Sequence, residues 1–466
     1  MTSFVRNIPQ SALRVSVVII FAASGATASA AQFKVGLIEG QVPPGMPDGV
    51  QFLDQVTLTN SGQVLIGVDT NGASNDETFY KATLKPFVLT LQSREGDPVS
   101  GAPGRTFGAM DAVNDVNEAG DYVFVSATLP LTAQDVLAKN GAKFVHAVAD
   151  MLNGEVLNSL HQPQIDGDGV PWFLADIGTN AATDIALFHG TTMLFREGGT
   201  IDGVPVATIV ISESTSGANF RVNEAGDYII VVDDGDAQGQ DVHVMLNGMN
   251  VLESTDVIPG HGAVYWFNQI DITSTGNHWF CQLTLDSSGG DELLLLDGTT
   301  VLVREGDDLG GGLLVGSIQT ADVNVHGDWI ARVDLAGTGT GQDGLLLNGQ
   351  LIARTGDPVD ADYNWGTSFG FINDIRLNDC GEIAMVGDVV PIEVSTPVLE
   401  ALITGSIYNP GDIDGDGDVG ADDMDALVGV LLGSVTNACT LRRADMNEDG
   451  LNDGRDVPRF VAAVVP

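Results

Sequence analysis

Positive charge is scarce. The 466-residue chain holds 19 Lys and Arg against 63 Asp and Glu, a formal net charge of −44. A field of that sign repels phosphate backbones, so nucleic acid and anionic membrane are disfavoured as partners and cations are favoured. Cysteine is almost missing. Cys281, Cys380 and Cys439 allow at most one pair, which excludes a disulfide framework, and no Cys/His cluster is spaced for zinc. Cys281, in the alternating segment HWFCQLTL, reads as a buried inert thiol. Aromatic residues make up 6% of the chain, too few to furnish abundant sugar-stacking platforms. Past residue 30 no stretch approaches about eighteen uninterrupted apolar residues, so no membrane insertion is expected after that point. A GxSxG elbow, an HExxH helix and a P-loop are all absent there, and the seven histidines are scattered singly.

What is present argues for a folded, exported chain. Hydrophobic residues are 44% of the sequence, enough for a sizeable core. Residues 1–30 have the grammar of a secretory signal: Arg6 and Arg14, the apolar run VSVVIIFAA (15–23), then Ala28-Ser29-Ala30 as a cleavage site. The expected destination is extracellular, cell-surface or periplasmic.

Self-similarity carries most of the fold information. NEAGDYVFVSATL (117–129), NEAGDYIIVV (223–232), STGNHWFCQLTL (274–285), NVHGDWIARVDL (324–335) and NDCGEIAMVGDV (378–389) are copies of one segment, with weaker copies at 60–70 and 166–177. Their glycines, Gly62, Gly120, Gly169, Gly226, Gly276, Gly327 and Gly381, recur at intervals of 49 to 58 residues. Asn117, Asn223, Asn324 and Asn378 stand three residues before the glycine; Asn and Gly both tolerate left-handed backbone. Runs such as ELLLLDGTTVLVREGD (292–307) add two strands joined by an Asp-Gly or Asn-Gly hairpin turn. Four antiparallel strands per unit, apolar enough to be covered on both faces, predict an all-β, seven-bladed β-propeller over residues 32–405. An open β-solenoid is the alternative, and its period is usually shorter.

The chain ends bear on closure. A fourth-strand signature recurs as SREGD (93–97), FREGG (195–199), VREGD (303–307) and ARTGD (353–357), with degenerate forms at VLNSL (156–160) and LESTD (252–256). The last repeat stops after its third strand, EALIT (400–404), while VGLIEGQ (35–41) precedes the first repeat. The N-terminal strand is therefore expected to complete the last blade and remove an open edge. Arg94, Arg196, Arg304 and Arg354, with Asp97, Asp307 and Asp357, would form an ion-pair ring between blades or face the channel; their repetition favours structure. Asp166-Gly167-Asp168-Gly169 mimics half a calcium loop, but Gly169 lies on the repeat lattice, which favours a blade turn.

Residues 406–410 read as a linker, and 411–466 change character. Asp412, Asp414, Asp416, Gly417 and Asp423 fall at positions 1, 3, 5, 6 and 12 of a calcium loop, with the Asp418 carbonyl at position 7. Asp445, Asn447, Asp449, Gly450 and Asp456 repeat it, with the Leu451 carbonyl at position 7 and Asp453 at 9. Calcium needs roughly six to eight hard oxygens, and this alternation delivers them inward around a glycine bend. Each loop leads into a helix, Met424, Leu427, Val428 and Leu431 on one and Val457, Phe460, Val461 and Val464 on the other, whose stripes are expected to pack together. Two Ca2+ ions are the expected cofactors.

This tail resembles the type I dockerin domain, a duplicated calcium loop and helix. The resemblance implies folding on calcium and binding of cohesin-like modules on a scaffold or surface. Positions 10 and 11, where that family often has small hydroxyl residues, are Ala421-Asp422 and Gly454-Arg455, and position 8 of the second loop is Asn452. The repeats, roughly 35–408, look like the NxxGxxAF-type tandem repeats of exported bacterial proteins, with AF replaced by YV, YI, WF, WI or IA. The expected function is a binding or structural scaffold, leaning to no catalysis and with no catalytic residues assigned. The alternative is a polysaccharide-degrading O-glycosyl hydrolase carrying a dockerin module.

Overall fold

The computed structural model describes residues 32–464 apart from 73–75, 131–133, 149, 179–183, 212–218, 236–241, 287–290, 338–341, 367–373 and 394–396. The expected signal, 1–30, lies outside the described residues.

Among the described residues, seven antiparallel sheets of four or five strands follow one another in chain sequence as the blades of a seven-bladed β-propeller, and Thr200–Ile201 with Val204–Pro205 adds a two-stranded ribbon. In the first blade the strands are Val50–Leu58, Gln63–Thr70, Glu77–Leu84 and Phe87–Arg94. The second strands are apolar on both faces because both faces are covered: Val64, Leu65, Ile66 and Val68 are all fully buried. No single core exists. Instead, seven apolar clusters each join two neighbouring blades, for example Ile229 and Val231 with Phe267 and Ile270, or Val386 and Leu402 with Val56 and Ile66. The last pair belongs to the seventh and first blades, so the ring is closed.

Closure uses both ends of the repeat region, as the sequence suggested. Gln32–Ile38 pairs antiparallel with Leu399–Ser406, Val35 opposite Ile403, and Leu37 is buried in the seam towards the first blade. One fourth strand differs from expectation. In the second blade it is Ala142–His146, and VLNSL lies in Glu155–Ile165, the first strand of the third blade. The Asn140-Gly141 turn, with φ of 52° and 72°, starts the fourth strand at Ala142, fourteen residues before Val156, where the degenerate signature begins.

All seven lattice glycines have positive φ, from 70° to 82°. The asparagines do something else. Asn117, Asn223, Asn324 and Asn378 are absent from the left-handed residues; each side-chain oxygen accepts the N–H four residues on. Each side-chain NH2 donates to a main-chain carbonyl in the next blade: Asp166, Thr273, Asn378 and Thr59, at 2.8, 3.0, 3.5 and 3.0 Å. The residue is therefore selected as a two-ended latch between blades, because it offers a donor and an acceptor on one planar group.

Beyond the propeller lie three short helices, α1 (Ala421–Leu431), α2 (Ala438–Ala444) and α3 (Val457–Val464). Leu427 and Phe460 are buried together with Ile413, Val430 and Ala444. Met424, Val428 and Val461 are exposed instead of packed. The expected seam between the two loop helices is narrower because α2, which no periodicity announced, packs against α1.

Replacing Asn223 with Asp keeps the acceptor and removes the donor, leaving the Thr273 carbonyl buried and facing a carboxylate. We expect a loss of about 2–3 kcal/mol in denaturant unfolding. An unchanged midpoint would show that the asparagine serves only its own turn.

Candidate metal centre

The two acidic loops share five hydrogen bonds at matching positions; Asp412 also accepts from Gly415, whereas Asp445 also accepts from Asp449. Position 1 accepts the N–H of position 6: Asp412 from Gly417 at 3.0 Å, Asp445 from Gly450 at 2.9 Å. Position 3 accepts from position 5, Asp414 from Asp416 at 3.1 Å and Asn447 from Asp449 at 2.9 Å. Position 5 accepts from position 7, with Asp418 N and Leu451 N each 3.0 Å from Asp416 and Asp449. Position 12 closes each loop: Asp423 accepts from Asp414 and Gly420 at 3.2 and 2.7 Å, and Asp456 from Asn447 and Asp453 at 3.1 and 2.9 Å. Gly417 and Gly450 make the bend at φ 96° and 83°. Positions 1 and 12 are buried in both loops, while Asp414, Asp416 and Asp418 face outward.

In the first loop one oxygen from each of Asp412, Asp414 and Asp423 falls within 4.8 Å of the others. Burial, reinforced by Asp423, pushes the Asp412 carboxyl up to about 6, although the amides of Gly415 and Gly417 pull it down. A hard cation placed among these oxygens would reverse that balance. The donor set of carboxylate, amide and carbonyl oxygens fits calcium or magnesium and not a soft metal.

The second loop departs from the first through its position 11. Arg455 lies 2.7 Å from Asp449 and 2.8 Å from Asp453, and it holds the Asp453 carboxyl below its usual range. Among the described residues, all groups of three clustered carboxylates lie in the first loop.

The propeller holds a second polar assembly that sequence reasoning missed. Asp115, Arg221, Asp271, Asp322 and Arg376 each stand five residues before a lattice glycine, and that constant offset was the available signal. They line a cavity of about 150 Å³ on the ring axis, at the end carrying the glycine turns. Asp271 lies 3.4 Å from Arg221 and 3.3 Å from Arg376, which in turn pairs with Asp374 at 2.9 Å. Asp115 and Asp322 accept main-chain N–H groups of the next blade, Ile165 at 2.9 Å and Leu377 at 2.7 Å. Glu118, Glu224 and Asp379 fill the mouth, bonded to the amides of Ser61, Glu118 and Val325. Both oxygens of Glu118 accept main-chain amides, and the second oxygen of Asp379 accepts from the Asn60 and Ser274 side chains.

Burial pushes Asp322 up to about 7, helped by Asp271 and opposed by Arg376, and pushes Asp115 and Asp374 up to about 6. Glu224 rises to about 7 for the same first reason. At the other end of the first blade, burial and mutual repulsion raise Asp54 to about 6 and Asp69 and Glu77 to about 7.

The remaining candidates are structural. Asp97, Asp307 and Asp357 accept the amides of Arg94, Arg304 and Arg354 at 3.1, 2.8 and 3.1 Å, capping turns within their own blades. Arg196 and Arg304 pair with Glu155 and Asp291 of the same blade, which places these ion pairs within blades. Asp166 accepts from Val170, the Trp172 indole and His189 in a blade turn. Ser159, His161 and Asp176 touch one another, but Ser317, Gln319 and Asp334 repeat the arrangement without a histidine. That trio is part of the lattice.

Carboxylates with raised folded pKa values contribute stability that is full below their unfolded values near 4 and is lost as pH rises through about 7. Asp322→Asn should therefore shrink the gain in melting temperature between pH 8 and pH 5 by about 2 °C relative to the parent chain. An unaltered difference would remove Asp322 from this account.

No family model and no curated protein sequence matches the chain. Among solved structures it is similar to an oligogalacturonate lyase in complex with manganese (11% identity, 81% of this chain and 98% of that one, TM-score 0.40). It is also similar to the β-propeller domain of the Trilobed protease from Pyrococcus furiosus, described as having an open velcro topology (11% identity, 76% and 95%, TM-score 0.37). A third is TolB from Acinetobacter baumannii (8% identity, 53% and 52%, TM-score 0.31).

Proposed function

We propose that this chain is an exported, calcium-binding propeller scaffold, attached to a surface or extracellular assembly through its C-terminal dockerin-like module. The observation that carries the reading is the set of five hydrogen bonds that the two loops share at the same positions. Unrelated acidic loops have no reason to share five amide-to-carboxylate or amide-to-amide hydrogen bonds at the same positions. Asp412, Asp414, Asp416, Asp423 and the Asp418 carbonyl would hold one ion; Asp445, Asn447, Asp449, Asp453, Asp456 and the Leu451 carbonyl would hold the other. Bound calcium would neutralise carboxylates that otherwise repel one another and would fix the helices that follow.

The docking face is supported by apolar side chains left in solvent. Met424, Val428 and Leu432 on or beside α1, and Val457 and Val461 on α3, are 52%, 47%, 78%, 36% and 50% exposed. Exposed apolar residues grouped on so small a module favour a protein partner, and a cohesin-like module is the partner class proposed. Asp115, Asp322 and Glu118 on the turn side of the propeller accept main-chain amides of neighbouring blades, a fastening role that favours a scaffold over a hydrolase.

Calorimetry on the full chain should find two calcium ions in two affinity classes, the first loop tighter. Arg455→Ser should tighten the weaker class about tenfold, since it frees Asp449 and Asp453 from their ion pairs. Asp412→Ala and Asp445→Ala should each remove one ion. An absence of heat, with circular dichroism unchanged by chelator, would end the calcium reading. Retention of the chain on cohesin or surface extract regardless of chelator would end the docking reading.

A further inference from the structure

The helical module is not free of the propeller. It lies across the place where the ring closes and touches three chain segments that meet only there. Cys439 of α2 is bonded to Cys380 in the last lattice turn, 59 residues away. Arg442 makes a two-pronged ion pair with Glu382 of the seventh blade at 2.8 and 2.9 Å and donates to the Ser61 carbonyl of the first blade. Lys85 of the first blade donates to the Arg442 carbonyl at 3.2 Å. Lys34, in the N-terminal strand itself, pairs with Glu448 of the second calcium loop.

The calcium loops are part of this contact. Arg443 donates to the carbonyls of Ile413 and Asp414 in the first loop at 3.0 Å each, while stacking on Tyr408 at 4.8 Å and reaching the Cys380 carbonyl. Gly450 of the second loop lies against Pro86 so closely that a methyl group there would stand 3.1 Å from the proline ring. Ile407, which starts the passage to the module, is buried, and its amide donates to the Gly381 carbonyl at 2.8 Å.

The contacts are unequal. Lys34 and Glu448 are 57% and 42% exposed, so that pair contributes little by itself. Glu382 is 5% exposed, and its two-pronged partner is hard to replace by water. Arg442 and the disulfide anchor the module, and the loops press on the seam.

We propose that the module is a clamp on the closing seam of the propeller, and that calcium in its loops holds the N-terminal strand in the seventh blade. The calcium part rests on the reading above. The anchoring part stands on Arg442 and the disulfide alone. A docking partner pulling on the module would then load the seam directly.

Hydrogen exchange followed by mass spectrometry on the full chain tests this, comparing segments 32–38 and 399–406 with 228–233 and 242–246 of the fourth blade. Chelation should speed exchange in the first two by about tenfold or more and leave the fourth blade unchanged, a local opening. Arg442→Ala and the pair Cys380→Ser with Cys439→Ser should do the same in calcium, with far-UV circular dichroism confirming an intact propeller. If calorimetry shows calcium removed while exchange at 32–38 stays slow, calcium does not work the clamp. If calorimetry finds no calcium to remove, the calcium reading and the calcium part of the clamp fail together. Slow exchange at 32–38 in both sets of variants overturns the clamp itself.

Discussion

The structure depends on sealing the joints between blades. Each sheet is apolar on both faces and cannot be buried alone, so stability lies in seven separate seams, each shared by two neighbours. A ring of this kind has no strongest blade, only a weakest joint. Here the closing joint is the one with the longest reach, where Gln32–Ile38 returns to Leu399–Ser406 across almost the whole length of the chain.

The same constraint accounts for part of the acidity. Where a first strand bulges, as at Leu53 and Ile318, or turns an amide away from its sheet partner, as at Ile165 and Leu377, that buried N–H must find another acceptor. The neighbouring blade supplies a carboxylate: Asp115 for Ile165, Asp322 for Leu377, Glu292 for Ile318 and Glu400 for Leu53. The asparagine latches act in the same way at the turn end, with a neutral group. A share of the negative charge is therefore internal fastening, held at the cost of raised pKa values. The rest lies on the surface and in the two acidic loops of the tail.

Much of this was legible in the sequence, for identifiable reasons. The glycine lattice, the hairpin turns and the returning N-terminal strand are local patterns repeated often enough to be unambiguous. The asparagines were seen but given a turn-forming role, because their second hydrogen bond runs to a residue about fifty positions away. The axial aspartates and arginines carried a constant offset from the glycines, yet the side chains vary around the ring, so no motif announced them. In the tail, the loop positions could be read individually. The pairing of Cys439 with Cys380 and of Arg442 with Glu382 could not, since nothing local marks where a module lands on a propeller. Arg455 was visible as an odd residue at position 11, but its reach back to Asp449 needed coordinates.

A chain beginning at Glu39, without the closing strand, tests the central claim most directly. The account predicts an unpaired Leu399–Ser406 edge, self-association detectable by sedimentation, and a melting transition lowered by about 10 °C or more in calcium. A monomer that melts at the temperature of the full-length chain would contradict it.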